Sequence, residues 1–213
     1  MTRSWRDGQT RGHYTAAHIR RDREGRRVLP RVVERAPAPG DAHPLSKTHL
    51  RLLLPHVPFD YLYGLKRIEL QPRRAAPGAP FGYYMRSERL IVVYSLPVAP
   101  WLVPAEYRAF LAAAAHFGAQ VAAAGSECEV RWQSPEHIAR YLWCEVLLHE
   151  LGHHHDWQYR HKRKRPRGTR WNEASAELHS ARLNRTHGQP LWNGLVDLGH
   201  LPDPDAPGGA GRG

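Results

Sequence analysis

One segment constrains the fold of this 213-residue chain more than any other, the apolar stretch that follows Ser134. Ser134 is a residue type that caps helices, Pro135 suits the first helical position, and Glu136 favours the positive end of the helix dipole. Apolar side chains then recur on most sides of the helix, at Ile138, Tyr141, Leu142, Trp143, Val146, Leu147 and Leu151. A helix with this pattern is buried. The sequence therefore predicts a central helix that runs from Ser134 to about His154.

The far end of this helix reads His149-Glu150-Leu151-Gly152-His153. Two histidines four residues apart share a helix face, so both imidazoles can reach one metal ion. Glu150 is rotated by roughly 100° around the axis, which leaves its carboxylate free to act as a base. Burying these groups without a partner is costly, and a metal ion supplies the partner. The alternative is a histidine-rich surface turn, because His154 and His155 follow directly.

A catalytic zinc site has three protein ligands and an open fourth position. A second helix is predicted from about Asn172 to Asn184, and its first turns contain Glu173 and Glu177. Glycine at position 152 leaves room for such an element to come close to the first helix. Asp156 lies nearer in sequence and is, with Glu177, an alternative third ligand.

Together the two segments resemble the gluzincin metallopeptidases, of which thermolysin is the type. That family carries H-E-x-x-H followed by a glutamate ligand in N-E-x-x-x-D. Here Glu173 follows Asn172 and lies 20 positions after His153. The resemblance covers residues 134–184 only. It implies that His149, His153 and Glu173 bind Zn²⁺ and that Glu150 is the general base.

The same resemblance implies a role for Glu177, which stands where the family has an aspartate that orients the first histidine. Such outer partners tune metal ligands, and the expected role carries over with glutamate in place of aspartate. The family also uses a histidine and a tyrosine to stabilise the transition state. Neither has an assigned counterpart here, and the candidates are His179, His187, Tyr159 and His161.

Shorter patterns predict the rest of an α+β domain, a small and mostly antiparallel sheet packed on helices around the buried H-E-x-x-H helix, as in zincins. Strands are expected at residues 67–70, 89–95 and 129–132, a short helix or turn at residues 59–65, and a further helix at residues 105–124. The run at 89–95 has the strongest strand pattern. Gluzincins bind peptides by adding a strand to the sheet edge, so Ile91, Val92, Val93 and Tyr94 are the candidate substrate-binding residues. An ordinary core strand is the alternative.

The charge of the chain is unevenly distributed. The net charge is +11, but residues 48–157 are neutral, whereas residues 1–47 carry +6 and residues 158–170 carry +7. We expect a mobile basic arm at residues 1–46, a domain at residues 47–201 and a disordered tail at residues 202–213. The segment 160–170 joins the two predicted ligand helices. It is either a solvated loop or a patch that binds nucleic acid through phosphates.

The amino-acid content limits the function classes. No apolar run is long enough to span a membrane, and the N-terminus has no apolar core of a secretory signal. Cys128 and Cys144 are the only cysteines, which predicts two reduced, buried thiols in a cytoplasmic protein. We therefore expect a zinc metallopeptidase that acts on peptides or proteins. The alternatives are a non-catalytic zinc protein, with His154, His155 or Asp156 closing the coordination, and a regulatory protein associated with nucleic acid.

The nucleic-acid alternative has a direct test in the basic segment. If Lys162–Arg167 binds phosphates, replacing its cations with glutamine should weaken binding of double-stranded DNA. The slope of log affinity against log salt concentration should become shallower by about one unit for each lost contact. An electrophoretic mobility-shift assay over a range of salt concentrations measures both. Equal affinity of the wild type and the neutralised variant would remove this alternative.

Overall fold

The computed structural model describes residues 29–73, 80–98, 100–159 and 169–204. Most of the predicted N-terminal arm, the end of the predicted tail and most of the basic segment 160–170 lie outside these ranges. The side chains of Tyr159 and His161, two candidates for transition-state stabilisation, also lie outside what is described. The described part is a mixed α/β arrangement of small sheets and several helices.

The main sheet has four strands in the order β1-β3-β5-β4. They are β1 (Arg31–Glu34), β3 (Arg67–Gln71), β5 (Leu90–Tyr94) and β4 (Gly82–Met85). β1 and β5 both run parallel to β3, and only β4 is antiparallel to its neighbour. The expectation of a mostly antiparallel sheet is therefore wrong for this sheet. Parallel neighbours need long crossover connections, and here the segment between β1 and β3 forms helices.

The folded unit begins earlier than the sequence indicates. Residues 31–34 were expected in a mobile arm that ends at residue 46, but they form the edge strand β1 and pair with β3. Only Val32 and Val33 give this strand an apolar character, and charged residues surround them. Arg35, just beyond the strand, lies 3.6 Å from the buried carboxylate of Glu69. The apolar signal was too short to separate this strand from the basic arm.

Two smaller antiparallel sheets complete the strand content of the described ranges. One pairs β2 (Asp41–Ala42) with β6 (Leu96–Pro97), and the other has the order β7-β9-β8. Its strands are β7 (Trp101–Pro104), β8 (Ala119–Ala124) and β9 (Glu127–Trp132). The predicted helix at 105–124 is thus wrong in its second half.

The helix in that region, Arg108–His116, ends near a glycine. Gly118 has a φ of +92°, and a Cβ atom there would overlap the ring of His137. Glycine tolerates this backbone conformation, which turns the chain into β8. The alanine-rich sequence of β8 favours a helix by propensity alone, but pairing with β9 determines its structure.

The helices are α1 (Lys47–Leu53), α2 (Phe59–Leu62), α3 (Arg108–His116), α4 (Pro135–Tyr141), α5 (Leu148–Tyr159), α6 (Thr169–His187) and α7 (Gln189–Asp197). A 3-10 turn, Leu54–His56, follows α1, and a π-helical turn, Leu142–Leu147, joins α4 to α5. The predicted central helix is confirmed as this continuous helical segment, and it continues beyond His154. Trp143, Leu147 and Leu151 are fully buried, as its apolar pattern requires.

The described chain has no membrane-spanning helix and no disulfide. None of its helices combines the length and the apolar character that a bilayer crossing requires. Both cysteines are free thiols; Cys144 is buried, whereas Cys128 is only partly buried.

α5 and α6 approach each other closely at Gly152. A Cβ atom placed there would lie 2.7 Å from the carbonyl oxygen of Ala176 and 3.1 Å from Cβ of His179. Backbone atoms cannot yield to such an overlap without moving a helix. The absence of a side chain at position 152 therefore sets the distance between the two helices, as the sequence predicted.

We predict that Gly152→Ala lowers the free energy of unfolding by about 1–3 kcal/mol, the usual cost of overpacking a well-packed core. Urea denaturation of the metal-free protein measures this change. Gly194→Ala is the matched control because Gly194 lies within α7 and a Cβ atom there would meet nothing within 4 Å. It should be neutral or stabilising by up to about 1 kcal/mol. Equal stability of the two variants would contradict the prediction.

Candidate metal centre

Three side chains that the sequence singled out meet between α5 and α6. His149 and His153 lie one turn apart on α5, with ring centroids 4.7 Å apart in an edge-to-face arrangement. Oε2 of Glu173, from the first turns of α6, lies 3.3 Å from Nε2 of His149 and 3.4 Å from Nε2 of His153. One ligand atom from each residue lies within 4.8 Å of the others. The structure therefore brings together the three predicted ligands.

The spacing of these atoms fits a metal ion better than direct hydrogen bonds. Charge-assisted N–H···O bonds are usually about 2.7–2.9 Å long. Two ligands of a tetrahedral zinc ion, with bonds of about 2.0–2.2 Å, lie about 3.3 Å apart. Burial and the neighbouring His149 lower the pKa of His153, which favours the neutral imidazole that binds metal. The three side chains could therefore hold a metal ion.

Glu150 lies beside this cluster without belonging to it. Its side chain is buried, with 8% of the residue exposed. Burial is the main cause that raises the pKa of Glu150 to about 7; a hydrogen bond from the backbone N–H of Tyr84 lowers it, and the nearby Glu173 adds to the rise. A carboxyl group with a pKa near neutrality can both accept and release a proton. This is the property expected of a general acid–base group.

The ligands and Glu150 line a cavity of about 640 Å³. Its helical wall continues towards α4 and the π-helical turn, through Val146, Glu145 and Tyr141. The opposite wall is β4 together with Phe81 and Arg86. The close approach of the two walls depends on Gly82, where a Cβ atom would lie 2.8 Å from Cγ1 of Val146. The cavity is therefore a cleft between a sheet edge and the ligand helix.

The predicted substrate-binding strand is not at the sheet edge. Residues 91–94 belong to β5, which pairs with β3 on one side and β4 on the other, so its backbone groups are already used. Ile91 and Val93 pack in the main core, and Val92 and Tyr94 pack in a second cluster. The edge strand that lines the cavity is β4. Its sequence Gly-Tyr-Tyr-Met adjoins a loop rich in glycine and proline, and it lacks the alternation that marks a strand.

The structure does not place Glu177 where the resemblance implies. Glu177 is exposed on α6, and among the described residues it makes no hydrogen bond or ion pair, with His149 or any other group. Asp156, the other alternative ligand, lines the cavity but lies outside the three-residue cluster. Its Oδ1 accepts a hydrogen bond from the hydroxyl of Ser175, 3.0 Å away.

The neighbouring histidines have partners of their own. His154 is completely buried; its Nε2–H donates to the carbonyl oxygen of Tyr63 at 2.9 Å, and its Nδ1 lies 3.0 Å from the hydroxyl of Tyr84. Burial lowers the pKa of His154 to about 4, so the ring is neutral. The ring of His155 stacks on Tyr61, and its Nε2 lies 3.7 Å from Asp60. The idea of a surface turn is wrong for His154.

Two candidates for transition-state stabilisation lie elsewhere. The Nδ1 atom of His179 lies 3.0 Å from the hydroxyl of Tyr61. The backbone carbonyl of His187 accepts a hydrogen bond from Trp143, at the far side of the helical core. Neither histidine lines the cavity. Sequence reasoning also missed Glu145, Tyr84 and Trp157, although Tyr141, Glu145, His149, His153 and Trp157 recur every four residues along the helix.

We predict that His149→Ala, His153→Ala and Glu173→Gln each weaken zinc binding by more than the roughly 10- to 100-fold that loss of an outer partner costs. Competition titration with a chromophoric chelator measures the affinity. Glu177→Gln is the matched control for Glu173→Gln, because it removes the same charge from the same helix. It should keep the wild-type affinity within a few-fold. A control as damaging as the ligand variants would count against this set of ligands.

Comparison with models of protein families, with curated proteins and with solved structures gave no match for this chain. The function proposed next therefore rests on the residues of the cleft and their geometry.

Proposed function

We propose that this protein is a zinc-dependent metallopeptidase whose site is the cleft between β4 and α5. The observation that carries the proposal is the cluster of three donors, with Glu173 at 3.3 and 3.4 Å from the two imidazoles, beside a buried carboxyl group. His149, His153 and Glu173 would hold the ion. A zinc ion bound there supplies Lewis acidity, which acidifies a water molecule and polarises a carbonyl group.

Glu150 performs the proton transfers in this proposal. Its carboxylate takes the proton from the water that attacks the carbonyl carbon, and the resulting carboxylic acid gives the proton to the departing amine. A pKa of about 7 suits both directions of transfer at neutral pH. The N–H of Tyr84 donates to this carboxylate and so holds it in place. The buried His154, which contacts the hydroxyl of the same tyrosine, fixes Tyr84 in turn.

The substrate is an extended peptide that lies along β4. β4 is the last strand of its sheet, and among the described strands it has only β5 as a partner. An edge strand offers backbone groups to an added peptide strand, which gives affinity without a requirement for one sequence. Gly82 removes side-chain bulk from this edge, and the cavity of about 640 Å³ has room for several substrate residues.

A non-catalytic zinc protein is less well supported. That alternative needs a fourth protein ligand from the residues near His153, since structural zinc sites are closed. Both ring nitrogens of His154 have other partners, and one carboxylate oxygen of Asp156 is held by Ser175. An open fourth position facing a cleft is the arrangement that catalytic zinc sites have.

We predict that Glu150→Gln abolishes peptide hydrolysis without loss of zinc. Glutamine keeps the size of the side chain but cannot take the proton, so kcat should fall on the order of 10²- to 10⁴-fold. Zinc-loaded wild type and variant are compared on a fluorogenic peptide mixture, and bound zinc is measured in each by atomic absorption.

Glu106→Gln is the control for this experiment. It removes one carboxylate from an exposed turn outside the cleft and should hydrolyse peptides at the wild-type rate. A Glu150→Gln variant that holds zinc and retains full activity would overturn the role of Glu150. A zinc-loaded wild type that hydrolyses no peptide would overturn the proposed function itself.

A further inference from the structure

One carboxylate of the cleft has no part in the proposed chemistry. Glu145 lies in the π-helical turn, four residues before His149, and lines the cavity. Within the described residues its side chain makes no hydrogen bond or ion pair. The charges that affect its pKa are those of His116 and His149. Glu145 is therefore available to a ligand in the cleft.

The surroundings of Glu145 are apolar and aromatic. Phe81 and Tyr141 line the same end of the cavity, with ring centroids 6.0 Å apart, and Val146 completes the patch. A carboxylate at the rim of an apolar patch matches the side chain of lysine or arginine, which has an aliphatic stem and a charged head. The aromatic rings also favour a cation nearby.

The other end of the cleft holds a cation, and the carboxylate of Asp156 also lines the cavity. There the guanidinium group of Arg86 lies over the ring of Trp157, 5.7 Å from its centroid. β4 runs alongside the helix so that Gly82 lies near Val146 and Tyr84 lies near His154. An extended peptide along β4 would thus pass from the carboxylate of Glu145, across the metal ligands, to the guanidinium group of Arg86. This polarity distinguishes one side of the scissile bond from the other.

The distance along the helix limits which substrate residue is recognised. Four helical residues rise by about 6 Å along the axis, so Glu145 lies roughly that far along the helix from His149. An extended peptide advances about 3.3 Å per residue. The residue that reaches Glu145 is therefore one or two positions from the bond at the metal.

We propose that Glu145 is a specificity-determining residue that selects peptides with lysine or arginine one or two positions from the scissile bond. This inference rests on the proposed function for the position of that bond. The charge selection itself is a property of binding, which is measurable without turnover. Hydrogen bonds between charged groups in a partly desolvated site favour the matched ligand by about 10-fold or more over a neutral one.

The binding experiment uses the full chain with Glu150→Gln, loaded with zinc, so that no peptide is consumed. Fluorescence anisotropy compares labelled hexapeptides in which lysine, glutamine or glutamate is placed in turn at each position. We expect at least one position where lysine binds about 10-fold more tightly than glutamine, and glutamate more weakly still. Adding Glu145→Gln should remove the preference, and Glu145→Lys should reverse it. Glu106→Gln is the control and should leave it intact.

A turnover experiment with the zinc-loaded chain gives the second readout. Mass spectrometry of a digested peptide library should show lysine and arginine enriched one or two positions from the cleaved bond, with the enrichment lost in Glu145→Gln. Zinc affinity within a few-fold of the wild type shows that the variant has an intact metal site. Binding or cleavage that ignores peptide charge overturns the inference. If lysine peptides bind in a Glu145-dependent manner but nothing is cleaved, the selection stands and the peptidase function fails.

Discussion

The contact of α5 with α6 at Gly152 determines whether there is a site at all. Two of the three donor atoms come from one helix and the third from the other, so the distance between the helix axes decides whether all three can reach one ion. Gly152 lies within the H-E-x-x-H motif, between the two histidines, and faces the backbone of Ala176. Glu173, one turn earlier on α6, is thereby brought to 3.3–3.4 Å from both imidazoles. The contact at Gly152 therefore sets both the packing of the two helices and the distances between the three donor atoms.

A series of buried hydrogen bonds holds β4, the second wall of the cleft, in place. His154 connects the carbonyl of Tyr63, between α2 and β3, to the hydroxyl of Tyr84 on β4. An unpaired imidazole in this position would be costly to bury, and both of its nitrogens are paired. Since the N–H of Tyr84 also contacts Glu150, the same strand residue links the base of the proposed reaction to the core. The polar groups around the cleft therefore support its shape as well as its chemistry.

The sequence predicts the parts of this molecule that depend on local pattern. The helix around His149 was predictable because its apolar residues recur on most sides and because Ser134 and Pro135 mark its start. The pairing of Glu173 with the two histidines was predictable from the resemblance, since the spacing of that motif reflects two packed helices. The first feature depends on neighbours within a few turns, which a single sequence records directly, whereas the second depends on the family motif.

Features that depend on partners distant in sequence were not predictable. β1 has two valines among charged residues, and β4 adjoins a loop rich in glycine and proline, so neither carries a strand pattern of its own. Pairing with β3 and β5 makes them strands. β8 is the converse case, where a sequence that favours helix is drawn into a sheet by β9. The substrate edge was assigned to β5 because its apolar run is the strongest, whereas such runs are typical of interior parallel strands.

The π-helical turn at Leu142–Leu147 has a consequence for how the cleft tolerates insertion and deletion. A π turn holds one residue more than an α turn and so shifts the rotational phase of everything beyond it by roughly 100°. Here it separates α4, which packs near β9, from α5, which faces α6. The turn thus lets α4 face β9 while α5 presents a different side of the same long helix to α6. Removing one residue from this turn would leave the helix continuous, yet it would rotate the imidazoles away from α6 or turn α4 away from its sheet.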